Sequence, residues 1–100
     1  MKPYELHPSA RYDLDTAAAY YEQRSFELAG RFVAEIDQLI AEIRAAPQVP
    51  RFFRGEARRH FRRTFPYAVI YVDEPDLILV LAVSHFKRRP GYWIDRLLRD

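Results

Sequence analysis

Residues 58–93, RRHFRRTFPYAVIYVDEPDLILVLAVSHFKRRPGYW, decide the fold. Tyr67 to Val72 is rich in β-branched and aromatic side chains, the composition of a strand. Glu74, Pro75 and Asp76 then supply turn chemistry. From Leu77 the chain is apolar at every position until Ser84, which predicts a central strand covered on both faces. Arg58 to Thr64 alternates, with Phe61 its one strongly apolar side chain, and predicts a half-exposed or edge strand that Phe65 and Pro66 interrupt. The stretch thus predicts three successive antiparallel strands. Two basic clusters, Arg58 to Arg63 and Lys87 to Arg89, bracket the apolar hairpin.

Upstream, the apolar period changes from two to 3.6. Ala10, Leu14, Ala17, Ala18 and Tyr21 form the stripe of an amphipathic helix, with Pro8 suited to its first position, where a missing N–H costs nothing. This helix is expected to stop near Arg24. Ser25 is then a candidate N-cap for a second helix, with Glu27 in the first turn complementing the dipole. Leu28, Phe32, Val33, Ile36, Leu39, Ile40 and Ile43 give the second helix one broad apolar face, and Pro47 closes it. So short a connection makes an antiparallel helical hairpin. Lys2 to Leu6 reads as a short extended segment, and residues 47–55 as a loop packed down by Phe52 and Phe53. Beyond Pro90 and Gly91, a last short helix presents Trp93, Ile94, Leu97 and Leu98 on one side.

The order is β-α-α-β-β-β-α, an α+β fold within a single domain spanning residues 1–100. The expected core is Leu14, Tyr21, Phe32, Ile36, Ile40, Ile43, Phe61, Ile70, Leu79, Leu81 and Val83, buried together with both helices on one side of one antiparallel sheet.

Composition narrows the function. No cysteine is present, so disulfides and thiolate metal sites are excluded. No apolar run approaches the ~20 residues of a membrane span, and none resembles a signal peptide, so the expected setting is the cytoplasm. Residues 1–50 hold 5 basic and 8 acidic side chains, a balance of −3, whereas residues 51–100 hold 11 and 6, a balance of +5. Arginine outnumbers lysine 14 to 2, and its planar fork grips phosphate or carboxylate with two bonds at once. A polyanion or an acidic protein is the partner this predicts.

His7, His60 and His85 lack the spacing of metal ligands, and the three glycines are isolated, so neither a metal nor a nucleotide cofactor is expected. His85 ends the last strand just before a cationic run, either as a proton acceptor or as a strand-end histidine bonded to backbone. Tyr92 beside Trp93 is catalytic, stacks on a base, or packs the last helix. If the first sheet strand lies beside the last or next but one, Lys87, Arg88 and Arg89 reinforce the patch of Arg58, Arg59, Arg62 and Arg63. On a strand, Arg59, Phe61 and Arg63 share one face and Arg58, His60 and Arg62 the other.

Several segments in order, HPSARYDL (7–14), AAYYE (18–22), AGRFVAEI (29–36), RRTFPY (62–67), VIY (69–71) and AVSHFKRRPGYW (82–93), resemble the RelE/ParE toxins of bacterial type II toxin–antitoxin modules, the ParE branch in particular. The resemblance implies a small β-α-α-β-β-β fold. It also implies a cognate antitoxin whose C-terminal segment folds onto the toxin, over the helical hairpin and sheet. RelE-like relatives cleave mRNA on the ribosome without metal; ParE-like relatives block DNA gyrase. In the cleaving reading, Arg63, His85, Arg88 and Tyr92 would be catalytic. Phe86 stands where several cleaving members have tyrosine, and phenylalanine transfers no proton. The resemblance therefore implies a gyrase-directed toxin, with an mRNA interferase or a member without toxicity as the alternatives.

Overall fold

The computed structural model describes residues 1–97. In chain order they form β1 (Tyr4–Leu6), α1 (Pro8–Glu22), α2 (Phe26–Ala45), β2 (Phe52–Arg54), β3 (Ala57–Phe61), β4 (Tyr67–Asp73), β5 (Ile78–His85) and a 3-10 turn, Ile94–Leu97. The five strands make one mixed sheet in the order β1-β5-β4-β3-β2. It is antiparallel except at β1, which joins β5 in parallel. The α+β fold expected from the sequence is the one observed.

Local signals explain the helix limits. Pro8 opens α1, where the His7 imidazole Nδ1 accepts the Ser9 N–H at 3.0 Å. Ser25 is extended (φ −166°, ψ 129°) and its Oγ accepts the Leu28 N–H at 3.2 Å, satisfying one of the orphan donors of α2. Ala46 leaves helical geometry (φ −150°, ψ 70°), as a residue before proline must.

Both helices lie on one side of the sheet, but the apolar residues form two cores rather than one. Leu14, Phe32, Ile36, Ile40 and Ile43 meet Val69, Tyr71, Ile78, Val80 and Val83 beneath the helices. Ile70, Leu79 and Leu81 point to the opposite face, with Ala57, Ala68, Val72 and Ala82, beneath Trp93. The single core expected from the sequence is thus corrected: strand periodicity divides its members between two faces. Phe61 and Tyr21 are only partly buried, one on each face.

The division along β5 has one irregularity. Tyr71 pairs with Val80 and Ile70 with Ala82, so Leu81 is an extra residue, a β-bulge. Leu81 and Ala82 consequently face the same outer core in succession. Ile78 to Val83 are buried throughout, as a doubly covered strand requires. β5 is not central, however; β4 holds the middle of the sheet, because β1 adds only one neighbour outside β5.

β3 is half exposed but not at the edge, contrary to one sequence reading. Residues 52–54, expected to lie in a loop, pair with it as β2, turning at Gly55 (φ 53°). The pairing gives β3 backbone groups a partner, including Arg59 N–H to Arg51 C=O at 3.2 Å. Phe52 and Phe53 remain 61% and 40% exposed, so they do not anchor this segment in a core. Pro90 and Gly91 (φ 81°) turn the chain as expected, and Trp93 is buried, but Ile94 is 37% exposed, and Leu98 lies outside the described residues.

Candidate functional site

The β3–β4 connection and the segment after β5 leave the same end of the sheet. The Phe86 N–H bonds the Pro66 carbonyl at 2.9 Å, and the rings of Phe61 and Phe86 meet edge to face at 5.3 Å. With β3 next but one to β5, Arg62 and Arg63 come to the same end as the 87–89 cluster, while Arg58 and Arg59 lie farther along β3, opposite Tyr71 and Ile70.

The arginines of the two clusters do different things. Arg62 turns to the helix side and binds both oxygens of Glu35 at 3.1 Å and also Glu42, whose other oxygen meets His60 Nε2 at 2.8 Å. These two partners hold the Glu42 carboxyl down to about 2. Arg58 donates to the carbonyls of Gln48 and Pro50 at 3.1 and 2.8 Å, its guanidinium 3.8 Å over the Phe52 ring. Arg59 and Arg63 turn to the outer face, where their guanidiniums lie over Phe61 at 4.5 and 5.5 Å. Lys87, Arg88 and Arg89 are exposed. Arg59, Arg63, Lys87, Arg88 and Arg89 have no acidic partner among the described residues.

His85 lies on the helix side, its ring edge-on to Tyr67 with centroids 5.0 Å apart. Its Nδ1 accepts the Lys87 N–H at 3.0 Å, so Nε2 is the free nitrogen. With Tyr12, Tyr20, Tyr67 and Arg88 it lines a groove of about 270 Å³. Arg88 also stacks 3.9 Å over Tyr92. His85, Arg88 and Tyr92 are therefore neighbours, whereas Arg63 lies on the other face of the sheet.

The Tyr92 hydroxyl is already engaged: it donates to Asp13 Oδ2 at 3.0 Å, and burial is the largest of the influences pushing its pKa up. Asp13 also accepts from Arg96 at 2.7 Å and from the Val83 N–H at 3.1 Å, while Arg96 donates to the Leu81 carbonyl at 2.9 Å. β1 ends opposite Val80, so Asp13 and Arg96 take over as partners for the next stretch of β5 backbone. The sequence reading missed this pair. The signal for it is that Asp13 sits three residues after Ala10, inside the apolar stripe, where an unpaired acid would be costly.

No three His, Asp or Glu side chains gather into a metal-holding group among the described residues, and no helix among them is long and apolar enough to cross a membrane. On the far side of the hairpin a second groove, of about 300 Å³, runs between α1 and α2. It is lined by Ala18, Phe26, Ala29 and Val33 and flanked by Asp15 and Glu22.

A family model described as the ParE toxin of the type II toxin–antitoxin system parDE matches residues 4–90. Comparison with curated proteins gives no match. Among solved structures, the chain is similar to one described as a chromosomal ParDE TA system from P. aeruginosa. The TM-score is 0.62 at 14% identity, over 85% of this chain and 96% of that one, a likeness of fold. The family match runs from β1 through both helices and the whole sheet to the basic segment after β5, and on that extent this chain belongs to the ParE toxin family of type II toxin–antitoxin systems.

Proposed function

We propose that the chain is a growth-arresting toxin of the cytoplasm, held inactive by a cognate antitoxin, that blocks DNA gyrase rather than cutting mRNA. The observation that carries this reading is the separation of Arg63 from His85 by the thickness of the sheet, together with the engagement of the Tyr92 hydroxyl by Asp13. Cleavage of RNA needs a base for the 2′-hydroxyl, an acid for the leaving oxygen and cations on the same phosphate. Losing one proton-transfer group costs about 10²–10⁴ in rate, and Phe86 supplies no replacement. A binding toxin needs only an exposed complementary surface, and the cations at 87–89 offer one.

Antitoxin neutralisation is supported by the exposed apolar surface. Phe26, Tyr12 and Tyr20 are 79%, 71% and 51% exposed, and the floor of the inter-helix groove holds Ala18, Ala29 and Gly30, small residues that admit a partner closely. Antitoxin carboxylates pair with the 87–89 cluster, so affinity falls with salt.

Two assays on the same preparation test the choice: gyrase supercoiling with purified toxin, and primer extension on mRNA after induction. Inhibited supercoiling with intact transcripts is expected. Discrete cleavage sites that vanish in His85→Ala, with supercoiling untouched, make this an mRNA interferase. Silence in both assays, with the antitoxin still bound, makes it a member without toxicity.

A further inference from the structure

The arginines of the sheet separate by what their N–H groups do. Arg58, Arg62 and Arg96 each donate to carbonyl or carboxylate oxygens. Arg59 is half-buried like them, yet its guanidinium makes no hydrogen bond and no ion pair among the described residues. It is held instead by rings, lying over Phe61 at 4.5 Å, Phe53 at 5.1 Å and Phe86 at 5.4 Å. Three strands' worth of chain converge to build this cradle: Phe53 comes from β2, Phe61 from β3 and Phe86 from just beyond β5.

Such a cradle has a chemical consequence. Rings satisfy the flat faces of a guanidinium and leave its edge donors unused, and those donors form a fork matched to two oxygens of one oxyanion. Burial, with the neighbouring Arg63 charge, already strains Arg59's hold on its proton. Arg63 lies against the same Phe61 ring, so a second cation adds its charge where no carboxylate answers either. A singly charged carboxylate compensates one of them. A phosphate group, with more oxygens and more charge, meets the fork of Arg59 and offsets more of the combined charge. Phe53, 40% exposed beside the fork, adds an apolar face on which a base can lie.

The geometry points to a phosphate-binding site on the outer face of the sheet, formed by the ring-cradled fork of Arg59 within the field of the Arg63 charge. The ligand class is a phosphate group, supplied either free or as the backbone of a single-stranded nucleic acid. The site is independent of the gyrase reading, since it uses neither the 87–89 cluster nor the His85 groove.

The test uses the full chain, labelled with nitrogen-15, and follows the arginine Nε–H resonances. Inorganic phosphate and pyrophosphate are titrated first, then a short single-stranded oligonucleotide by fluorescence polarisation. Arg59→Gln is expected to weaken binding by about tenfold or more, the loss of a charge-assisted contact. Arg31→Gln, which removes one exposed charge on α2, is expected to change it by less than about threefold. Arg59→Lys keeps the charge but loses the fork, and is expected to bind nearly as poorly as Arg59→Gln. Circular dichroism confirms that each variant is folded, and Arg63→Gln is the substitute if an Arg59 variant is not. Phosphate bound as tightly per group as the oligonucleotide assigns the free ligand; a tighter, steeply salt-dependent oligonucleotide assigns the nucleic-acid backbone. Equal losses in Arg59→Gln and Arg31→Gln overturn the site, leaving only a diffuse field. An acidic peptide that binds as well as the oligonucleotide, with the same dependence on Arg59, overturns the phosphate assignment in favour of a protein segment.

Discussion

Replacing Asp13 with alanine is expected to be among the most damaging polar substitutions in the chain. The carboxylate is 8% exposed and its partner Arg96 15% exposed, so the pair is largely out of water. Alanine removes the acceptor of the Val83 N–H, the Tyr92 hydroxyl and Arg96 together, leaving the guanidinium only the Leu81 carbonyl. Breaking a buried pair from one side costs about 3–5 kcal/mol; Arg96's residual access to solvent places this one near the lower limit, about 3 kcal/mol. Set against a total of ~5–15 kcal/mol, that is a large share. At about 4–8 °C per kcal/mol, Tm drops by roughly 12–24 °C. Urea unfolding gives the free energy, and hydrogen exchange at the Val83 amide gives the local effect, faster because its acceptor is gone. Asp13→Leu combined with Arg96→Met is expected to recover most of the loss, since the pair's cost lies in stranding one charge. A loss below about 1 kcal/mol, with Val83 still protected, would show that the network is not what fastens residues 92–96 to α1 and β5.

Glu42, held at about 2 against an ordinary 4.5, contributes stability that is complete above pH 4.5 and is lost as pH falls toward 2. Its side chain is 34% exposed, so solvent reduces the contribution to about 1 kcal/mol. The gap between the parent and Glu42→Gln in urea midpoints is expected to shrink by more than half by about pH 3, and a constant gap refutes the assignment. Ile36→Ala and Leu81→Ala are each expected to cost about 2–5 kcal/mol. Because they lie in different cores, the double variant is expected to be additive to within about 0.5 kcal/mol; a larger interaction term means the two cores act as one.

The helices were legible to within a residue or two because their signals are local: Pro8, Ser25 and Pro47 each act through the backbone of their own turn. β4 and β5 were legible from composition and the turn between them. β2 was not, since Phe52–Arg54 has no alternation to read, and what makes it a strand is the unpaired edge of β3. The split core was hidden for a related reason. In a run as uniformly apolar as Leu77–Val83, composition is silent about faces, and the bulge shifts the period midway. At the basic end the sequence placed both clusters and the strand faces. It did not place Glu35 and Glu42 opposite Arg62 or Asp13 opposite Arg96, because those pairs form across 27, 20 and 83 positions of chain.

The bulge at Leu81 also makes the length of β5 negotiable. Ordinarily, losing one residue from an interior strand rotates everything beyond it to the wrong face, which few proteins survive. Here Val80 already opposes Tyr71 and Ala82 already opposes Ile70, so excising Leu81 would join two segments that are in phase with β4 on either side. The ladder would close into a regular one, His85 and the basic segment would stay where they are, and the sacrifice would be one outer-core side chain and the carbonyl that Arg96 holds. A sheet built this way can absorb a single-codon deletion at its most buried strand, and natural length variation in relatives of this chain is expected to fall at that position before any other in the strand.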